Sequence, residues 1–465
     1  MDFLIVLGAL AFLMFVAYRG YSVILFAPIA AMGAVLLIDP NLVAPMFTGL
    51  FMDKMVGFVK NFFPVFLLGA VFGKVIELSG FSKAIVASVI KLIGRERAMF
   101  SIVIVCAILT YGGVSLFVVV FAVYPFAAEM FRQGDIPKRL IPGTIALGAF
   151  TFTMDSLPGT PQIQNIIPTT FFKTDIYAAP WLGVIGAVFI FIVGMVYLES
   201  ARRRAAKAGE GYGTGHTNEP EAVADEKLVH PLIAILPLIM VGVMNKVFTN
   251  AIPLLYGEKV SFIPAVIGKA APVVQQTKAV AAIWAVEGAL LIGIATVFVF
   301  GWKMVFSKFG EGSKSAIGGA LLATMNTASE YGFGAVIAAL PGFLVVANAL
   351  SSIPNPLINE AITVTSLAGI TGSASGGMGI ALAAMAETFI ANATAAGIPL
   401  EVFHRVASMA SGGMDTLPHN GAVITLLAVT GLTHRQSYKD IFAITCIKTM
   451  AVFVVIGTFY ATGIV

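Results

Sequence analysis

The sequence is poor in charged residues, and this shortage narrows what the chain can be. Only 11% of its 465 residues are charged and 58% are hydrophobic, against about 25% and roughly 45–50% in soluble domains. A soluble globular core is therefore excluded, and the mean hydropathy of +0.94 predicts a polytopic membrane protein. The net charge of +4 is explained by cytoplasmic loops, so no nucleic-acid partner is expected.

Motifs for catalysis and for cofactors are also missing. The sequence has no histidine–glutamate metal spacing, no nucleophile motif and no nucleotide-binding loop, so neither an enzyme nor a bound cofactor or metal is expected. Its two cysteines, Cys106 and Cys446, lie in apolar runs and are interpreted as packing residues. The first 17 residues lack the basic start of a cleavable signal and are interpreted as a membrane span.

What the sequence does contain is a stretch that occurs twice. Residues 154–161 read Met-Asp-Ser-Leu-Pro-Gly-Thr-Pro, and residues 414–421, 260 positions later, read Met-Asp-Thr-Leu-Pro-His-Asn-Gly. Because proline removes a backbone donor and clashes with the preceding turn, the apolar runs 140–172 and 403–432 are predicted to be broken helices. Such breaks persist in lipid only where freed backbone groups face protein, a cavity or a ligand. Paired breaks in two half-chains indicate a transporter's binding site.

Each predicted broken helix follows a predicted hairpin. Residues 98–131 would make a helix of about 51 Å, too long for one membrane crossing and too short for two. Thr110–Ser115 lies in the middle and provides a glycine-containing reversal. Since basic residues flank both ends, we predict a re-entrant hairpin entered from the cytoplasm, with two short ordinary spans as the alternative. Residues 356–393 match it at the same offset and are predicted to enter from outside.

These features together predict an all-α membrane protein, an inverted-repeat secondary transporter with two re-entrant hairpins and two broken transmembrane helices. Residues 1–199 are assigned to the first repeat, 230–465 to the second and 200–229 to a flexible cytoplasmic linker. Ten spans then place both termini outside. Within the second repeat, a cytoplasmic turn around Lys303–Lys314 is predicted to separate two spans.

The arrangement of hairpin tip and broken helix in two inverted copies resembles the ion-transporter superfamily of carboxylate carriers. Thr110–Ser115 and Met154–Gln162 look closest to the gluconate:proton symporter family, and the resemblance covers nearly the whole chain. Gluconate carriers have a proline- and histidine-rich break where this chain has Asp155–Gln162, and this version is similar to the hydroxybutyrate permease-like branch. The resemblance implies import of a 3-hydroxybutyrate-like monocarboxylate or a gluconate-like sugar acid by proton symport. It also implies elevator-type alternating access, a homodimer and the inner membrane of a prokaryote.

An anionic substrate needs positive potential near the membrane midplane, and helix N-termini supply about half a charge each. The returning arms of the hairpins are predicted to begin at Ser115 and Ser375, with their N-termini aimed at the midplane. The alternative is that the glycines of the tips only permit close packing. The candidate substrate-binding residues are Thr110, Gly112, Gly113, Ser115, Ser156, Gly159, Thr160, Ser373, Ser375, Gly376, Thr416, His419 and Asn420.

Four titratable residues are candidates for coupling: Asp155, Asp415, His419 and Glu330. Either aspartate can cap the second half of its broken helix or carry a proton or a cation. His419 can take a proton near its unperturbed pKa or stay neutral in a packed site. Glu330 lies inside a span, where a carboxyl group is protonated, paired or facing water.

Several alternatives stay open at this point. A sodium-coupled di- or tricarboxylate carrier is the main one, since broken-helix carbonyls and an aspartate would supply the oxygens that hard cations take. An intramembrane enzyme and an anion channel are weaker alternatives. Gln162, Gln164 and Asn165 would line the path or pack helices, and His404 is assigned to a solvated helix end.

Overall fold

The computed structural model describes the chain apart from residues 20, 95–96, 221–227, 264–271, 344, 346–352 and 419. Its α-helices run over Asp2–Tyr18, Val23–Ile38, Val43–Met46, Met52–Leu78, Phe81–Ile93, Ala98–Tyr111, Leu116–Gln133, Leu140–Ala149, Phe152–Asp155, Ile163–Phe172, Pro180–Lys207, Pro231–Tyr256, Thr277–Ala339, Pro356–Thr371, Ala374–Ala396, Leu400–Ser411, Gly421–Thr430 and His434–Thr462. Six described helices are long and apolar enough to cross a membrane. The chain is therefore an all-α membrane protein, as predicted.

Two local features differ from regular α-helix. A 3-10 turn at Pro40–Leu42 and a π turn at Phe47–Phe51 join the neighbouring helices, so that one helical segment extends over Pro40–Leu78. Farther along the chain, strands Lys259–Phe262 and Val273–Gln276 pair antiparallel, with Lys259 opposite Gln276.

Both hairpins are present. The first hairpin has arms Ala98–Tyr111 and Leu116–Gln133, and the second has arms Pro356–Thr371 and Ala374–Ala396. Gly113 (φ 93°) and Gly372 (φ 64°) occupy left-handed backbone at the two tips, a conformation that glycine adopts without steric cost. The glycines therefore explain why each chain segment reverses where it does.

Both helix breaks are present as well. The first broken helix consists of Leu140–Ala149, a short turn and Ile163–Phe172, and the second consists of Leu400–Ser411 and Gly421–Thr430. The repeated Met-Asp stretches lie in or next to the intervening non-helical backbone. The sequence prediction of two broken helices is confirmed.

The helical segment Thr277–Ala339 reverses direction near its middle. The rings of Phe298 and Phe309 lie 5.1 Å apart, whereas residues eleven apart in a straight helix are separated by about 16 Å along the axis. Gly293 packs on Phe72 and Gly332 packs on Phe51, so the two arms run along Met52–Leu78 in opposite directions. The turn falls where the lysine-rich segment 303–314 predicted it.

The helices form two groups. The peripheral group, residues 2–93 and 231–339, is built on Met52–Leu78 packed against Thr277–Ala339 and Pro231–Tyr256. The central group, residues 98–207 and 356–462, contains both hairpins and both broken helices, packed with Pro180–Lys207 and His434–Thr462. Large apolar side chains are exposed on the outside of both groups, for example Leu25, Val196 and Val299, as expected of a surface in lipid.

The first part of the predicted linker is ordered rather than flexible. Residues 200–207 continue the helix Pro180–Lys207, and residues 208–219 form a docked segment on the central group. Arg139 binds Glu210 through two hydrogen bonds of 2.7 and 2.9 Å, and Lys138 pairs with Glu219 at 2.6 Å. The Thr217 hydroxyl donates to the Gly431 carbonyl at 2.9 Å. The docked segment therefore connects the start of the first broken helix to the end of the second.

Candidate functional site

The two helix breaks meet in the middle of the central group, where Arg405 binds the backbone of the first break. Arg405 is fully buried. Its guanidinium donates to the carbonyl oxygens of Asp155 at 3.1 Å and Ala178 at 2.8 Å, and to Oδ1 of Asn165 at 3.0 Å. A break leaves carbonyls without helical partners, and the five donors of arginine satisfy several of them from one side chain.

His404 belongs to the same buried cluster. Its Nδ1 lies 2.6 Å from the Thr174 hydroxyl and its Nε2 lies 3.2 Å from Oδ1 of Asn165. The expectation of a solvated helix end is wrong, because the side chain is fully buried. Asn165 in turn donates to the carbonyls of Thr160 and Ile176, so it holds the first break together rather than lining a path.

Asp155 lies at the contact between the breaks. Its Oδ1 accepts from the Ser156 hydroxyl at 2.7 Å, and its backbone carbonyl accepts from the Ser408 hydroxyl at 2.8 Å. The carboxylate packs directly against Gly412 of the second break, where a Cβ atom would not fit. Asp155 is therefore a buried acid held between two broken helices.

Lys448 connects the breaks from the C-terminal helix. Its Nζ lies 2.5 Å from Oδ1 of Asp415 in the second break and 3.1 Å from the carbonyl oxygen of Phe150 at the first. The Lys448 side chain is 2% exposed and that of Asp415 is 14% exposed. On the same helix face, the Thr445 hydroxyl lies 2.6 Å from that of Thr416.

The tip of the first hairpin rests on the first break. The Tyr111 hydroxyl donates to the Pro158 carbonyl at 2.8 Å, and Gln162 donates to the Thr110 carbonyl at 2.7 Å. The Thr110 hydroxyl is buried without a described partner. Ser115 precedes the returning arm and its side chain makes no capping bond. Two hydroxyls of this tip are thus free to bind a ligand.

Glycines of the first hairpin and break allow these close contacts. Gly112 packs on Leu238 and Gly113 on Pro161, while Gly159 (φ 82°) packs on Tyr177. The alternative that tip glycines permit close packing is therefore supported for this hairpin. The Thr160 hydroxyl donates to the Thr153 carbonyl at 2.7 Å and stabilises the break itself.

The tip of the second hairpin makes the corresponding contact with the second break. Asn420 donates to the Gly372 carbonyl at 2.7 Å and accepts from the backbone N–H of Val423 at 2.9 Å. Asn420, not Asp415, thus caps the second half of this broken helix. In the first broken helix the corresponding position is Gln162, with no side-chain capping bond, so neither aspartate has the capping role considered from the sequence.

Glu330 of the peripheral group faces the second tip. It is 3% exposed, its Oε2 has no described partner, and it lies against Gly376. The returning arm begins at Ala374 with Ser373 as its cap, accepting from the N–H of Gly376 at 3.1 Å, so the expected start at Ser375 is wrong. The Ser375 hydroxyl lies 3.2 Å from that of Thr327. A buried carboxyl group is therefore aimed at a helix N-terminus.

The predicted residues fall into three neighbouring clusters. Thr110, Gly112, Gly113, Ser115, Gly159 and Thr160 lie at the first tip; Ser373, Ser375, Gly376, Asn420 and Glu330 lie at the second; and Asp155, Ser156, Asp415 and Thr416 lie between the breaks. His419 lies outside the described residues.

Sequence reasoning missed Arg405 and Lys448. A signal was available for Lys448, because a lone lysine within the apolar run 440–462 is a functional candidate by default. Arg405 adjoins His404 near the start of a predicted helix, where both resembled interfacial residues. Their acceptors in and near the first break lie about 230 to 300 residues away, and sequence spacing does not show such contacts.

A basic cavity of about 850 Å³ lies elsewhere, at the end of Pro180–Lys207. It is lined by Arg97, Arg202, Arg203, Arg204 and Lys207 among others, and it does not include the breaks. Among the described residues, no group of three or more histidine, cysteine or acidic side chains is arranged to hold a metal. We therefore place the candidate site at the breaks and hairpin tips.

Comparisons with known proteins give two informative similarities, and no protein-family model matches the sequence. The chain is 59% identical over 474 residues to the uncharacterized transporter YxjC of Bacillus subtilis (strain 168), with 100% of both chains covered. Its fold is similar to the crystal structure of the YdaH transporter of Alcanivorax borkumensis, described as having an unusual topology. The TM-score is 0.52 at 14% identity, with 92% of this chain and 90% of that chain covered.

Proposed function

We propose that this chain, which belongs to the family of membrane transporters that contains YxjC of Bacillus subtilis, is a secondary active carrier of a small organic carboxylate. The carboxylate is imported with a proton, across the inner membrane of a prokaryote. The substrate class is a 3-hydroxybutyrate-like monocarboxylate or a gluconate-like sugar acid, as the resemblance to the gluconate:proton symporter family implies.

One observation carries the proposal of anion binding. The first hairpin tip holds the N-terminus of Leu116–Gln133 against a helix break, next to the unpartnered hydroxyls of Thr110 and Ser115. A carboxylate accepts hydrogen bonds from hydroxyls and from the free N–H groups of a helix N-terminus, and the helix dipole favours its charge. No lysine or arginine is needed at this point, so the anion binds without an added buried cation.

Glu330 is the coupling residue in this proposal. Its carboxyl group is buried, with one oxygen unpartnered, and an ionised carboxylate in that position is disfavoured. Proton binding therefore determines whether the second hairpin can approach the helix that carries Glu330. Asp155 and Asp415 remain further candidates, because they lie in or beside the breaks, and His419, which is outside the described residues, remains one from its position in the sequence repeat.

The proposed mechanism is elevator-type movement, and the contacts between the two groups support it. Glu330 against Gly376 and Thr327 beside Ser375 are contacts between the peripheral and the central group. In an elevator, the central group slides along the peripheral group and these contacts separate. The peripheral groups of two copies would form a homodimer, and a monomer with full transport activity in nanodiscs would contradict this part.

The experiment is uptake by the purified chain in proteoliposomes. Labelled 3-hydroxybutyrate, gluconate, a dicarboxylate and a tricarboxylate are compared under an inward proton gradient and, separately, an inward sodium gradient at constant pH. We expect accumulation of a monocarboxylate or sugar acid with the proton gradient only, and its loss in Glu330→Gln with substrate exchange retained. Glu77→Gln, which removes an exposed partner of Lys74, is the matched control.

Other outcomes point to the alternatives. Accumulation of di- or tricarboxylates driven by sodium would favour the sodium-coupled carrier. Equilibration without accumulation under any gradient would favour a channel, and chemical conversion of the substrate would favour an intramembrane enzyme. Either of the last two results would overturn the proposal of a secondary carrier.

A further inference from the structure

We infer that the Lys448 ammonium group is the resident cation of an oxygen site between the two helix breaks, and that it takes the place of a sodium ion. This inference rests on the proposed function, because it concerns which ion the carrier uses. It assigns to Lys448 a role in ion selectivity that depends on charge as well as on packing.

The oxygens around Lys448 are those that a hard cation selects. One is a carboxylate oxygen of Asp415 at 2.5 Å and another is the carbonyl oxygen of Phe150 at 3.1 Å. Phe150 follows the helix Leu140–Ala149, so its carbonyl is freed by the first break, whereas Asp415 belongs to the second. Carboxylates and free backbone carbonyls are typical ligands of hard metal cations, and here an ammonium group binds to both.

The charges around this point are balanced without an added ion. Asp155 is close enough to interact electrostatically with Lys448, Asp415 and Arg405. With both carboxylates ionised, two carboxylates, one ammonium and one guanidinium give a formal sum of zero. A sodium ion would add an uncompensated positive charge in a poorly solvated environment, which is unfavourable. Lys448 therefore excludes sodium by charge as well as by occupancy.

The inverted repeat does not require a lysine at this position. The residue 260 positions earlier is Val188 on the helix Pro180–Lys207, and its side chain is exposed. The C-terminal helix is also attached to the second break by neutral groups, since Thr449 donates to the Gly413 carbonyl at 2.7 Å and Thr445 contacts Thr416. These contacts can position the helix, so the lysine adds a charge to an arrangement that neutral residues already hold.

The test measures thermal unfolding of the purified full chain in sodium chloride and in choline chloride of equal concentration. We expect the wild-type chain to unfold at the same temperature in both salts. Lys448→Ala leaves the carboxylates without their cation, and its melting temperature should rise in sodium relative to choline. Asp415→Asn combined with Lys448→Ala removes both charges of the pair and should abolish the sodium response. Lys246→Ala, at an exposed lysine above the Tyr177 ring, is the control and should behave as wild type.

Two results would overturn the inference. The first is sodium stabilisation of the wild-type chain, and the second is a folded Lys448→Ala that does not respond to sodium. If Lys448→Ala is not recovered folded in choline, its recovery as a folded protein in sodium supports the inference. Lys448→Gln, which keeps a donor and removes the charge, is then measured in the same way. If sodium neither allows Lys448→Ala to be recovered folded nor raises the melting temperature of Lys448→Gln, the inference is overturned. Because no step depends on transport, loss of uptake in the proteoliposome experiment would challenge the proposed function separately.

Discussion

Arg405 holds the first break closed from the opposite half of the chain. In Arg405→Met the carbonyls of Asp155 and Ala178 lose buried donors, and each unsatisfied group costs about 1–3 kcal/mol. We expect a loss of several kcal/mol in the free energy of unfolding, measured by thermal or denaturant unfolding in detergent. Arg203→Met removes an arginine side chain that is 71% exposed and should change stability by less than about 1 kcal/mol. Equal stability of the two variants would contradict the assigned role.

Ser115 offers a direct test of the anion site. Ser115→Val removes a hydroxyl that has no capping partner in the structure, so folding should be little affected. A hydrogen bond to a charged group contributes roughly 1.5–3 kcal/mol, and substrate affinity should fall by a factor between about ten and a hundred and fifty. Ser375→Val should weaken binding less, because the Ser375 hydroxyl already contacts Thr327. Binding is measured by calorimetry, and unchanged affinity in both variants would mean that the tips are packing elements.

The residues of the site were predictable to different degrees. Asp155, Asp415 and the tip serines could be found because a repeat 260 residues apart marks them. Glu330 stands out as an acid in an apolar run. The roles of Arg405 and Lys448 at the first break depend on contacts between distant segments, which periodicity and local spacing do not contain. The capping bond of Asn420 is local, from the N–H of Val423. The sequence suggested two roles for the aspartates, and the caps observed at Asn420 and Gln162 exclude one of them.

At the scale of elements, the docked segment 208–219 should loosen on acidification. The hydrogen bond from Arg139 holds the pKa of Glu210 below its ordinary value. For Glu219, burial raises the pKa, but hydrogen bonds from Lys138 and Arg132 outweigh this and lower it. A lowered folded pKa gives stabilisation that is present above the unfolded pKa and lost as the pH falls through the folded value. Docking should therefore persist at neutral pH and weaken in acid, below the ordinary glutamate pKa of about 4.3.

Hydrogen exchange of the amides in 208–219 measures this docking. The double variant Glu210→Gln and Glu219→Gln should exchange faster at neutral pH than the wild-type chain, since it lacks both charges. Glu77→Gln, in an ion pair on another surface, should leave this exchange unchanged. Protection in the double variant equal to that of the wild type would show that the charges do not hold the segment.

The reversal within Thr277–Ala339 can be tested by cross-linking. In a chain with Cys106 and Cys446 replaced, Phe298→Cys with Phe309→Cys should be joined by a short bifunctional maleimide, because the native rings are 5.1 Å apart. Val188→Cys with Glu199→Cys has the same spacing of eleven residues in the helix Pro180–Lys207 and should stay unlinked. The products are separated by mass spectrometry of proteolytic fragments. A straight helix would leave both pairs unlinked.

Local sequence predicted most elements correctly, for identifiable reasons. Hairpin tips are marked by glycine, breaks by proline and the reversal by a group of lysines. The docked segment 208–219 is glycine-rich and polar, which is typical of a flexible linker, yet tertiary ion pairs order it. The helical segment at Pro40–Phe51 contains 3-10 and π turns, which depart from the 3.6-residue repeat that marks an α-helix in a sequence.

At the scale of the whole molecule, transport should stop when the two helix groups are linked. Thr327→Cys and Ser375→Cys place thiols where hydroxyls are 3.2 Å apart, across the boundary between the groups. Oxidation should abolish uptake, and reduction should restore it. Each single variant, treated in the same way, serves as control. Full uptake by the oxidised, cross-linked double variant would contradict movement of one group along the other.

The pairing of the first break with distant side chains has a consequence during synthesis. The donor to the Asp155 carbonyl is Arg405, which is synthesised 250 residues later, and the donor to the Phe150 carbonyl is Lys448, which is synthesised 298 residues later. At about 5–20 residues per second, the ribosome needs roughly 12 to 60 s to supply these donors. During that interval the first half of the nascent chain contains a helix break whose carbonyls lack their protein donors. The insertion machinery or water must therefore solvate these carbonyls until Arg405 and Lys448 have been synthesised.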